Sequence, residues 1–268
     1  MGNAVPTSES ERRPDDQSHN ARLPILIFPG FMSSALEVLQ SNVVHPPVPS
    51  TELALPGGST ATTTRWKGKR VWLDIKSAGF ESLYLGSAMR ANEILKENGE
   101  TYNEHLHLQF QIESESKRRW IDHIRLASDL RSEMPGIQVR HVEGLKGVDY
   151  LVPGKLGEHV AWVFLPVIRA LCKAGYTEGL DLDAVPYDWR LPPMILEERD
   201  GYFTKTILRV ERMYEENGQK PIVLLCHSMG SKTCHYFLNF CLREKSRKWL
   251  DTHIHTYMPV GAPHLGAR

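Results

Sequence analysis

Apolar positions along this chain follow two rhythms that take turns. "PILIFPG", residues 24 to 30, is a continuous apolar run closed by Pro-Gly, the pattern of a buried strand entering a loop. From Val160 the rhythm is helical: Val160, Val163, Phe164, Val167, Ile168 and Leu171 fall at offsets 0, 3, 4, 7, 8 and 11, with Gly175 as a stop. A second helix is predicted through Phe203, Ile207, Val210 and Tyr214, ending near Gly218. "PIVLL", 221 to 225, then reads as a strand. After Ser228, the positions Met229, Thr233, Tyr236, Phe237, Phe240 and Cys241 return to one helical face, and "IHTYMPVGAP", 254 to 263, is a last strand. Strands separated by helices of this length predict an α/β fold whose sheet is mostly parallel, because parallel neighbours need long crossovers.

Elsewhere the pattern weakens. Residues 1 to 22 are polar and charged without apolar period, so a disordered tail is expected before a fold that begins near Leu23. Residues 45 to 70 are rich in Pro, Gly, Ser and Thr and longer than an ordinary connection, which marks a lid-like insertion before "RVWLDI" resumes order. Between 76 and 140 the segment 81 to 99 looks helical and 105 to 113 alternates like a strand. These two segments fix no topology.

Composition narrows the function. A chain of 268 residues with 41% hydrophobic content can bury a sizeable core in one globular domain spanning 23 to 268. Its 32 basic and 32 acidic side chains cancel, so no overall field draws it to nucleic acid. The four cysteines (Cys172, Cys226, Cys234, Cys241) sit within apolar patterns, lack zinc-site spacing and read as reduced core residues; no metal or cofactor is expected. No apolar stretch reaches the ~20 residues that cross a bilayer, and the first residues lack the apolar segment of a signal peptide. Gly2 fits a myristoylation site only without Pro6, which stands where that motif wants Ser or Thr.

The chemistry concentrates at "IVLLCHSMGSKTCHYF", 222 to 237. A strand, a serine and a helix in immediate succession make a sharp turn that lifts the serine side chain above the sheet edge. Small residues two positions to either side let strand and helix pack closely, and here they are Cys226 and Gly230, so the usual G-x-S-x-G becomes C-x-S-x-G. Ser228 is therefore a candidate nucleophile, the alternative being a small residue at a structural turn. The Met229 N–H at the helix start would face the oxyanion of a tetrahedral intermediate, and the loop after the first strand, "FPGFMSS", offers the Phe31 N–H as a second donor. His227 is expected to point away from Ser228 as a satisfied, buried histidine.

"PILIFPGFMSSALE", "WLDI", "DHIRL", "PGIQVRHVEG", "PYDWR", "HSMG" and "GAPHLGA" follow the order and spacing of the lecithin:cholesterol acyltransferase family, which the chain resembles over about residues 23 to 268. PYDWR followed about 40 residues later by the serine turn is the most specific part of that likeness. The resemblance implies an α/β-hydrolase fold with helices on both faces of the sheet. It implies a serine-dependent O-acyltransferase that takes a fatty acyl group from a phospholipid and passes it to a lipid alcohol, a sterol or diacylglycerol. Ser228 would be the nucleophile, with Phe31 and Met229 as oxyanion donors. The family places its acid and histidine base after the "GAP" strand, whereas this sequence stops at Arg268, so the fold is expected to be incomplete at its C-terminus and this stretch alone to be inactive or weakly active. Two alternatives stay open, a phospholipase A-type hydrolase and an inactive lipid-binding fragment.

Other candidates have weaker grounds. His264, past the last strand, is a possible substitute base or a solvated loop histidine; His235, His253 and His255 lie on helix or strand bodies. Asp188 in PYDWR reads as a structural ion-pair carboxylate beside Arg190. Trp66, Lys67, Lys69, Arg70 and Trp72 mix aromatic and basic groups, so Trp66 and Lys67 are candidates for peripheral contact with a phospholipid surface, the alternative being core tryptophan and solvated lysine.

Overall fold

The computed structural model describes residues 22–43, 66–72, 90, 93–94, 96–97, 118–151 and 162–266. Four strands form a wholly parallel sheet: β1 (Ile25–Phe28), β5 (Leu182–Ala184), β6 (Ile222–His227) and β7 (Ile254–Val260), in the order β5-β1-β6-β7. Three others form an antiparallel sheet: β2 (Leu36–Ser41), β3 (Arg70–Trp72) and β4 (Ile137–His141), in the order β3-β2-β4. Helices whose bounds are described include α1 (Leu165–Lys173), α2 (Pro193–Asp200), α3 (Tyr202–Glu216), α4 (Gly230–Glu244) and α5 (Arg247–His253).

Strand alternation explains the layering. Successive β1 side chains point to opposite faces. Leu26 and Phe28 join Leu224 and Cys226 of β6 in a core completed by Phe203, Ile207 and Val210 of α3 and by Cys234, Phe237 and Cys241 of α4. Ile27 points the other way, with Leu182 and Ala184, onto Ile168 of α1 and Phe164 just before it. Helices thus cover both faces of the parallel sheet, as its apolar strands require. Burying a side chain such as Phe28 or Phe237, each 0% exposed, contributes about 1.5–3 kcal/mol.

The expected strands and helices of the second half are present, with one shifted boundary. The helix predicted from Val160 begins at Leu165 with Pro166 in its first turn. Just before it, the N–H groups of Val163 and Phe164 donate to Asp149 and Val148 in a loop contact. Val160 itself lies outside the described residues. Proline's missing N–H suits a helix start, and the apolar period counted back through Val163 has no helix beneath it. Val167, at 40% exposure, is not part of the buried stripe. The antiparallel sheet has no counterpart in the sequence reading.

The predicted tail, 1–22, lies outside the described residues except Arg22, whose guanidinium donates to the carbonyls of Ala174 and Gly175, both at 2.8 Å. Of the insertion at 45–70 only residues 66–70 are described, a turn leading into β3. Within 81–99 the described residues are helical, and 105–113 is undescribed. Among the described residues no helix is long and apolar enough to cross a membrane. All four cysteines are free, and all but Cys172 are buried.

Candidate active site

β6 ends at His227 and α4 begins at Gly230, so the chain reverses over two residues. Ser228 takes that reversal at φ 50°, a left-handed conformation that non-glycine residues seldom adopt. Its N–H donates to Val260 O at 2.9 Å and its carbonyl accepts from Ser231 N–H at 3.0 Å. These bonds tie the turn to β7 and to the first turn of α4. The serine is half-buried, and among the described residues no hydrogen bond joins its hydroxyl to a histidine.

Gly230 shows why the helix can leave so close to the sheet. A Cβ there would come within 2.3 Å of Phe28 O and 2.4 Å of Pro29 O, so even alanine would push α4 off the end of β1. Cys226, two positions before Ser228, is fully buried between the same elements. Cysteine thus fills the place of the usual first glycine.

The loop after β1 comes to the same crest. A Cβ at Gly30 would stand 3.1 Å from Ser228 Cβ and 3.0 Å from His227 Nδ1. Phe31 therefore follows a residue that abuts the serine, on the rim formed by the C-terminal ends of the parallel strands, where α/β sheets gather ligands. Among the described residues no backbone acceptor takes the N–H of Phe31 or of Met229. Next in the loop, Met32 also has positive φ, 57°, so both sides of the crest carry strained backbone.

PYDWR is structural in part. Asp188, 0% exposed, lies 2.7 Å from Arg190 Nη2 and 2.8 Å from Arg199 Nη2, and Arg190 also binds Glu133 at 2.7 Å. Burial pushes the Asp188 carboxyl up, but the hydrogen bonds and charges of the two arginines outweigh it and hold the group below its ordinary range. Burial raises Glu133, against the pull of Arg190. The ion-pair reading of Asp188 fits this geometry, though Arg199 and Glu133 were not foreseen.

The remaining candidates disperse. His264 is exposed, its ring 5.4 Å from that of His235 and 6.5 Å from that of Tyr257. His227 departs from expectation: its ring meets Phe164 edge-on at 5.9 Å, but its buried Nδ1 has no hydrogen-bond partner among the described residues. Trp66 is corrected from interface candidate to core residue, 5% exposed and stacked on His123 with 4.1 Å between centroids. Lys67, beside it, is exposed on the turn. A cavity of about 250 Å³ lined by His141, Glu143, Tyr202, Lys205 and Arg209 is lined by none of Ser228, Phe31 or Met229.

Comparison with known proteins gives this geometry a family. The family model for lecithin:cholesterol acyltransferase matches residues 102–268, which contain PYDWR and Ser228 but not the Phe31 loop. Phospholipid–sterol O-acyltransferase of Arabidopsis thaliana is 38% identical over 141 residues, 51% of this chain and 22% of that protein. Phospholipid:diacylglycerol acyltransferase of Saccharomyces cerevisiae is 30% identical over 154 residues, 55% of this chain and 22% of that protein. Lysosomal phospholipase A and acyltransferase of Mus musculus is 36% identical over 154 residues, 55% of this chain and 35% of that protein. The chain thus spans between about a fifth and a third of the curated relatives it matches.

Proposed function

The chain belongs to the lecithin:cholesterol acyltransferase family, and from that premise we propose that it forms the nucleophile-bearing part of an α/β-hydrolase that transfers a fatty acyl group from a phospholipid to a lipid alcohol. One observation carries the reading: Gly30 and Gly230 press the loop after β1 and the start of α4 around a single partly exposed serine at positive φ. In this reading Ser228 Oγ attacks the ester carbonyl of the phospholipid and loses its proton to a general base. The carbonyl oxygen becomes an oxyanion facing the Phe31 and Met229 N–H groups, which strengthen as donors while charge develops. Collapse expels the lysophospholipid, which takes back the proton, and leaves an acyl ester on Ser228. A sterol or diacylglycerol hydroxyl then attacks that ester and regenerates the serine.

Hydrolysis is the second reading, favoured by the relative named as both phospholipase A and acyltransferase. The two differ only in whether water or an alcohol meets the acyl-enzyme, which depends on how well the site excludes water. Exposed Lys67 supports peripheral contact with a phospholipid surface. In the full polypeptide, Ser228→Ala is expected to abolish release of fatty acyl groups from phospholipid vesicles, with or without an alcohol acceptor. Unchanged release would refute the serine mechanism.

A further inference from the structure

PYDWR is the most specific motif of the chain, yet the mechanism above gives its tyrosine and tryptophan no task. Their contacts converge on one residue of the loop after β1. Tyr187 N–H donates to Ser34 Oγ at 3.1 Å, and Trp189 Nε1–H donates to Ser34 O at 3.2 Å. Ser34 is 0% exposed, so these groups meet away from water. The Trp189 ring also meets Phe31 edge-on, with 5.3 Å between centroids and 81° between planes. One motif therefore grips the loop at both ends of the segment from Phe31 to Ser34.

That segment needs holding. Met32 sits at φ 57°, a conformation that costs a non-glycine residue about 1–3 kcal/mol and persists only where the surroundings over-determine it. Within the loop, Ser33 N–H donates to Gly30 O at 3.1 Å and Ser33 Oγ to Phe31 O at 3.3 Å. Beyond Ser34, Ala35 is fixed by its N–H to Gly147 O and its carbonyl to Val142 N–H. The motif is itself immobilised, because Asp188, between Tyr187 and Trp189, is clamped by Arg190 and Arg199.

We propose that Ser34 and Trp189 are positioning residues that hold the Phe31 N–H toward the oxyanion formed at Ser228. The inference rests on the acyl-transfer reading and adds to it a reason for PYDWR. Neither side chain need touch substrate. Each acts through the loop, so its loss should weaken binding of the charged intermediate and leave binding of the uncharged lipid alone.

The test uses the full polypeptide with Ser34→Ala and Trp189→Phe; the second removes the indole N–H with part of the ring's bulk and keeps an aromatic ring against Phe31. Two probes are compared, a long-chain trifluoromethyl ketone, which forms an alkoxide adduct with the serine, and the matching secondary alcohol, which forms none. Both variants should lose about tenfold to hundredfold in kcat and in ketone affinity. KM and alcohol affinity should stay near wild type, while melting temperature falls by a few degrees in each variant because each loses a buried hydrogen bond. The inference is overturned if both variants bind the ketone like wild type, or if alcohol affinity falls as far as ketone affinity, as a merely structural role would dictate. If the wild type forms no adduct that depends on Ser228, the acyl-transfer reading itself fails and takes the inference with it.

Discussion

Two serines in this chain invite comparison, Ser228 on the crest between β6 and α4 and Ser41 at the end of β2. Ser41 has the partner that a nucleophile is supposed to need: its Oγ is 2.8 Å from His123 Nε2, and His123 Nδ1 is 2.7 Å from Arg119 O. Donation to that carbonyl leaves Nε2 as acceptor for the hydroxyl. Yet Ser41 is 5% exposed, His123 is 0% exposed and Trp66 covers the imidazole, so no substrate carbonyl can approach. Ser228 shows the reverse, with no histidine bonded to it among the described residues but with a partly exposed place at positive φ and the Gly30 loop packed beside it. On the acyl-transfer reading, access to the hydroxyl at a strained turn counts for more than a buried hydroxyl–imidazole contact.

The contrast can be broken most sharply by substitution. Ser228→Ala should lower acyl release from phospholipid by about 10⁴ to 10⁶-fold, with its melting temperature within a few degrees of wild type. Vesicle assays and calorimetry on the full polypeptide report the two quantities. Next in size, Asp188→Ala should cost about 3–5 kcal/mol of folding stability by leaving Arg190 and Arg199 without their buried carboxylate. Urea denaturation measures it; a fall in acyl release without a fall in stability would instead make Asp188 part of the chemistry. Ser41→Ala should mirror Ser228→Ala, losing about 1–3 kcal/mol for the unpartnered imidazole and backbone N–H while keeping wild-type turnover.

A pH series sharpens the buried half of the comparison. Burial lowers the His123 pKa, and its bond to the Arg119 carbonyl and the nearby Asp122 offset that only in part. Trp66 and the Ser41 hydroxyl also face the ring, while Arg190 reaches the His123 carbonyl. The folded pKa lies below the unfolded value of about 6.5, so the unfolded chain takes up the proton first. The contribution is intact above about pH 6.5 and is lost as pH falls toward the folded value, by no more than about 1.4 kcal/mol per pH unit. Denaturant midpoints at pH 7.5, 6.5 and 5.5 should show this decline, and His123→Gln should flatten it. The smallest expected effect is at Lys67, where Lys67→Ala should weaken binding to anionic vesicles about fivefold, roughly 1 kcal/mol, in a sedimentation assay.

The sequence announced the crest because everything there is local. An apolar run, a serine and a 3.6-residue period within 222 to 241 define strand, turn and helix without help from distant residues. Other parts of the fold depend on contacts between remote segments. Ser34 meets Tyr187 and Trp189 across 153 and 155 residues, and Ser41 meets His123 across 82. No periodicity reports such pairings. The antiparallel sheet was silent for the same reason, since the short β2 strand, LEVLQS, gains its buried face only by pairing with residues 137–141. Trp66 illustrates a further limit: a tryptophan among lysines in a polar stretch looks like a surface group until the ring beneath it is known.

The serine comparison is decided most directly by labelling. The full polypeptide is treated with a long-chain fluorophosphonate at neutral pH and the modified peptide is located by mass spectrometry. The account predicts one adduct, on Ser228, with Ser41 untouched. An adduct on Ser41, or an unlabelled Ser228 in a protein that still turns over phospholipid, would contradict it.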